Sequence, residues 1–100
     1  MPKVFIVSDG GHDYSDAERF GELVYCTEGV IRKDDIAQMY REISTAFADN
    51  GMQPGDYLLI SSLTSLCAVA AAIIGFQFGE IHFLLYKDGQ YVSRDLILED

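Results

Sequence analysis

Four hydroxyls, on Ser61, Ser62, Thr64 and Ser65, stand where an apolar strand-like run gives way to an apolar helix-like one. At such a place the free N–H groups of the first helical turn favour an anion, and hydroxyls add donors to a phosphate or carboxylate. The turn lacks both the glycines that let a ligand reach the backbone and the lysine that meets phosphate charge. Its plainer role is a helix cap supplied by Ser62 or Thr64. A second cluster, Asp9, His12, Asp13 and Asp16, offers carboxylate oxygens and an imidazole of the kind that bind a divalent cation. Its spacing fits neither an EF-hand loop nor a zinc-binding His pair, so a solvated Asp/Gly loop is the simpler reading, and no metal or other cofactor is assigned. Both clusters follow strand ends. A sheet that sets those strands side by side would let Asp9 and His12 share one cleft with Ser61, Ser62, Thr64 and Ser65, the candidate ligand-binding set.

The other reactive side chains point to structural roles. His82 lies between Ile81 and Phe83 in a strand-like run, where a histidine is half-buried and hydrogen-bonded more often than catalytic. Neither Cys26 nor Cys67 has a basic neighbour to favour the thiolate, and the two form no Cys-x-x-Cys pair. No Ser-His-Asp or paired-carboxylate arrangement stands out, so no catalytic residue is assigned and a non-enzymatic protein is expected.

The elements that must position these residues are outlined by hydropathy. Lys3-Val-Phe-Ile-Val-Ser8 is a β-branched and aromatic run without polar alternation, as in an interior strand covered on both faces. Ser15-Asp-Ala-Glu18 has the spacing of a capping box and predicts a helical turn through about Phe20. Gly21 breaks it, Glu22 to Thr27 predicts a second strand, and Glu28-Gly29 a turn. Ile36, Met39, Tyr40, Ile43 and Phe47 recur at helical spacing, which predicts one amphipathic helix from Asp35 to Asn50 covering one face of a sheet. Asp34 and Asp35 cap it, and Asn50-Gly51 with Pro54 end it. Tyr57 to Ile60 predicts a strand, the Ser/Thr turn leads into a helix ending near Gly75 or Phe78, and Glu80 to Tyr86 predicts another strand. Asp88-Gly89 favours a tight hairpin into Tyr91 to Leu98, whose alternation suits an edge strand. The expected class is α/β. A single small domain over residues 1–100 carries a mixed, mainly parallel sheet of about five strands in the order β-β-α-β-α-β-β, with two main helices and a C-terminal β-hairpin.

The helix after the Ser/Thr turn is apolar in every direction from Leu66 to Ile74. A helix without a polar face is expected to be buried on all sides. A chain of 100 residues has little material to wrap it, which predicts a homo-oligomer with Leu66, Val69, Ala70, Ile73 and Ile74 at or near the interface. The aromatics Phe20, Tyr25, Tyr40, Phe47, Phe76, Phe78 and Tyr86 are expected in the core.

Sixteen acidic against seven basic residues give a net charge of −9. That balance argues against direct nucleic-acid binding, which needs clustered Lys and Arg, and against an anionic membrane surface. The longest apolar run, Leu66 to Phe76, is about half a bilayer span. Two unpaired cysteines and no signal peptide at Met1-Pro2-Lys3 fit a reducing, cytoplasmic setting. These features suit an acidic interaction protein that forms a homo-oligomer and binds a macromolecule. The alternative is a module holding a nucleotide or other phosphate-bearing anion at the Ser61 to Ser65 turn, and third comes an acidic mimic of nucleic acid.

Lys3-Val-Phe-Ile-Val, Ala17-Glu-Arg-Phe-Gly-Glu22, Asp56-Tyr-Leu-Leu-Ile, Ala70-Ala-Ala-Ile and Phe83-Leu-Leu-Tyr with Tyr91-Val together resemble small uncharacterised accessory proteins encoded by tailed bacteriophages. The resemblance spans most of the chain and implies a phage accessory protein acting in the host cytoplasm; a host or phage protein is the expected partner. It implies no catalytic residues. Ile60-Ser-Ser-Leu-Thr-Ser-Leu is loosely similar to the strand-to-helix turn of nucleotide-sensing Rossmann-like domains of antiviral systems.

Overall fold

The computed structural model describes residues 1–28, 32 and 34–98. The chain runs β1 (Lys3–Ile6), a short 3-10 helix (Ser15–Phe20), β2 (Glu22–Tyr25), α1 (Ile36–Asp49), β3 (Tyr57–Leu59), α2 (Thr64–Phe78), β4 (Glu80–Lys87) and β5 (Gln90–Ile97). The five strands form one sheet in the order β2-β1-β3-β4-β5. β1 pairs in parallel with β2 and β3, β3 in parallel with β4, and β4 antiparallel with β5. This is the α/β sheet with a C-terminal hairpin that the hydropathy pattern predicts. Gly29 of the expected Glu28-Gly29 turn lies outside the described residues.

Side chains of β1 and of Val7, just after it, alternate between two cores because successive residues of extended chain face opposite ways. Phe5 and Val7 join Met39, Ile43 and Phe47 of α1 and Leu66, Cys67, Ala70 and Ile74 of α2, so both long helices cover the same face. Val4 and Ile6 turn to the other face and meet Tyr14, Ala17, Leu59, Leu84 and Tyr91. Among the described residues the cover there comes from the 3-10 helix, Tyr14 just before it and Tyr91 at the start of β5.

The hairpin turn needs two residues with positive φ, and Asp88 (φ 52°) and Gly89 (φ 86°) supply them. Because those two residues alone close the hairpin, Lys87 faces Gln90 and the register runs back to His82 opposite Asp95. Tyr91 sits in the following pair, whose second strand turns its N–H and C=O away from β4. Both groups are claimed by the 3-10 helix: Tyr91 N–H donates to Asp16 Oδ2 at 2.7 Å, and the Arg19 guanidinium donates to the Tyr91 carbonyl. This clasp blunts the start of an otherwise open edge strand.

Four expectations are corrected. Ser15 does not cap the 3-10 helix; its own N–H donates to Asp13 Oδ1 at 2.9 Å, so the loop aspartate takes the orphan donor. Neither Ser62 nor Thr64 caps α2, because the N-cap position falls on Leu63. Ser61 instead accepts the Leu63 N–H at 3.3 Å, one residue before the helix. α2 is buried along one stripe, Leu66, Cys67, Ala70 and Ile74, and open on its outer side. The aromatics divide as well: Phe47 is buried and Phe20 and Phe78 pack against the cores, but Tyr25, Tyr40, Phe76 and Tyr86 are exposed. α1 matches its expected limits, with Asp35 accepting the Gln38 N–H at 3.0 Å as N-cap. No described helix is long and apolar enough to cross a membrane.

Candidate functional site

Two concave features stand out, one at the strand ends and one between the helices. The first follows from strand order. The chain leaves β1 towards β2 on one side, while β3 pairs with β1 on the other, so the connections leaving β1 and β3 part at their carboxyl ends. Open α/β sheets place ligands at such a divergence. A cleft of about 410 Å³ opens there, lined by His12, Asp13 and Tyr14 after β1, by Ile60, Ser61 and Ser62 after β3, and by Tyr86 and Tyr91 of the hairpin.

The structure therefore brings His12 together with Ser61 and Ser62. Asp9, Thr64 and Ser65 are not among the lining residues. Asp9 Oδ1 accepts the Gly11 N–H at 3.1 Å, and the exposed Thr64 hydroxyl lies 3.4 Å from the Ser62 carbonyl. Among the described residues no group of three or more His, Cys, Asp or Glu side chains is placed to hold a metal ion.

The cleft's charge is negative. The Ser15 N–H, and then the Ser15 hydroxyl, hold the Asp13 carboxyl below its usual range, so it is ionised near neutrality. Burial, with smaller contributions from Tyr25 and Asp9, pushes the Tyr14 phenol above its usual value and keeps it a neutral donor. Burial likewise raises Tyr91. Tyr14 is 4% exposed, and its hydroxyl has no hydrogen-bond partner among the described residues. The rings of Tyr86 and Tyr91 meet edge to face with centroids 5.2 Å apart.

The second feature is a groove of about 1070 Å³ between α1 and α2 on the side away from the sheet. Ile36, Tyr40 and Ser44 line it from α1, and Val69, Ala72, Ile73 and Phe76 from α2. Among the described residues that line it none carries a charge. Phe76 is 96% exposed at its border. Of the five expected interface residues, Val69 and Ile73 line this groove, whereas Leu66, Ala70 and Ile74 are buried in the core beneath α2. Ile36, Tyr40 and Phe76 were not expected at any surface. The available signal was on α1, where Ile36, Tyr40 and Ser44 repeat every fourth residue beside the Met39, Ile43 and Phe47 stripe, making the apolar face wider than a sheet alone can cover.

The cysteines take no part in either feature. Burial pushes the Cys26 thiol up to about 12, which removes it as a nucleophile, and Cys67 is buried with its sulfur 3.7 Å from the Ser61 hydroxyl.

The family model described as phage Pam3 gp32-like protein matches residues 2–99. No curated protein and no solved structure matches the chain.

Proposed function

The chain belongs to the phage Pam3 gp32-like protein family, and from that premise we propose that it is a non-enzymatic accessory protein that works as a homo-oligomer joined through the α1–α2 groove. The observation that carries this reading is Phe76, 96% exposed beside an uncharged groove. A solvent-facing phenylalanine bordering a concave apolar surface marks an interaction site more readily than a free monomer's surface. The occupant that fits is a second copy. With a net charge of −9 two copies repel overall, and a facing surface without charge, such as this groove, adds no close like-charge contact to that repulsion. The patch holds both a knob, Phe76, and a hollow, so a two-fold axis sets each Phe76 into the partner's groove. Ala37, Ala48, Gly51 and Ala72 on its walls allow close approach. Assembly leaves the acidic remainder of the surface facing outward, towards a host or phage macromolecule in the host cytoplasm.

Light scattering and sedimentation at micromolar concentration test the proposal. A dimer is expected for the native chain and a folded monomer for Phe76→Asp. A native chain that stays monomeric there sinks it. A phosphate-bearing ligand at the Ser61 to Ser65 turn is the weaker reading, because Asp13 is ionised in the same cleft and no Lys or Arg lines it among the described residues.

A further inference from the structure

The cleft at the ends of β1 and β3 is independent of the groove, and its chemistry is specific enough to name a ligand class. We propose that it binds an unphosphorylated nucleobase or nucleoside, with the base against Tyr86, its polar atoms towards Tyr14 and Asp13, and the sugar hydroxyls towards Ser61 and Ser62.

Four observations carry this assignment. The Tyr14 hydroxyl is buried, protonated and without a partner among the described residues, although buried polar groups are nearly always paired. Tyr14 lines the cleft, with the exposed His12 ring centred 6.1 Å from its own. The hydroxyl lies beneath the surface, so a ligand pairs with it by displacing part of the cleft wall. Asp13 stands in the same wall as an ionised acceptor, one of whose oxygens already takes the Ser15 N–H. A ligand that satisfies both residues must carry an acceptor for Tyr14 and a donor for Asp13, and the polar atoms of a nucleobase and its sugar together supply both kinds. Tyr86 is exposed and abuts Tyr91 edge to face, which fixes its ring as a platform for a flat molecule. Lastly, the volume of about 410 Å³ admits a nucleoside, while the ionised Asp13 and the absence of Lys or Arg among the described lining residues disfavour a phosphate.

The full-length chain is titrated with adenosine, guanosine, cytidine and uridine, and with their 5′-monophosphates, following thermal midpoint and tyrosine fluorescence. At least one nucleoside is expected to raise the midpoint and to bind more tightly than its monophosphate. Tyr14→Phe removes the hydroxyl and keeps the ring. The ligand-free variant should melt no lower than the native chain, since an unpaired buried group is lost, while affinity falls about tenfold. Tyr86→Ala changes an exposed ring, leaves the fold intact and should weaken binding by a similar factor of about ten. Phe76→Asp should bind as the native chain does, so failure of the oligomer leaves this result readable. The proposal is overturned if no nucleoside shifts the midpoint, if monophosphates bind more tightly, or if both tyrosine variants bind unchanged.

Discussion

His82 shows how much one residue's neighbours decide. Its Nδ1 lies 2.8 Å from Asp95 Oδ1 and its Nε2 3.1 Å from Glu80 Oε1. The Asp95 contact first, and then that to Glu80, raise its pKa above the usual histidine value against a smaller opposing effect of burial. A raised pKa means that the folded state holds the proton more tightly than the unfolded one. The contribution to stability is therefore complete below the ordinary histidine value and fades as pH rises through the higher value in the fold. Melting from about pH 5 to about pH 9 is expected to show a loss of stability on the alkaline side that His82→Gln flattens. An unchanged profile in the variant would place the titration elsewhere. The half-buried, hydrogen-bonded state of His82 was legible from Ile81 and Phe83. Its partner was also within reach, because a two-residue Asp88-Gly89 turn counts back to Asp95. Tyr14 was not legible: nothing in its flanking residues tells that a loop tyrosine will be buried without a partner.

At the scale of the element, the two long helices start differently, and the difference is measurable. Asp35 caps α1 with a side-chain bond, whereas α2 starts at Leu63 with none. Asp35→Ala should cost about 1 kcal/mol in urea unfolding, and Ser62→Ala or Thr64→Ala a few tenths at most. A cost for Ser62→Ala equal to that for Asp35→Ala would show that α2 is capped by that residue after all. The period of α1 and its Asp and Asn-Gly ends were readable because helix, cap and stop all agree. The Ser/Thr turn misled because hydroxyl-rich composition does not tell which residue occupies the one position that caps. α2 misled more deeply. Its uniform hydropathy carries no phase, so Leu66, Ala70 and Ile74 could not be separated from Val69, Ile73 and Phe76 until the sheet chose which stripe to cover.

For the whole molecule, charge and shape set the conditions of association. Two chains of charge −9 meeting on a neutral face repel over distances that salt shortens, since the screening length falls from about 30 Å at 0.01 M to about 8 Å at 0.15 M. The proposed dimer should therefore tighten as sodium chloride is added across that range, as sedimentation can show. Weakening with salt would mean that ion pairs, not apolar contact, hold the copies. The α/β class and the hairpin were legible at this scale, because each strand and helix announces itself locally. The strand order was not, as the pairing of β1 with both β2 and β3 depends on contacts far apart in the chain. The clasp on Tyr91 is the extreme case, joining residues 75 positions apart. On a ribosome the cleft's last wall stays unbuilt until the hairpin has left the exit tunnel. A ligand can meet a finished pocket only once the hairpin has closed against the 3-10 helix, so occupancy of that pocket reports that these distant segments have folded together.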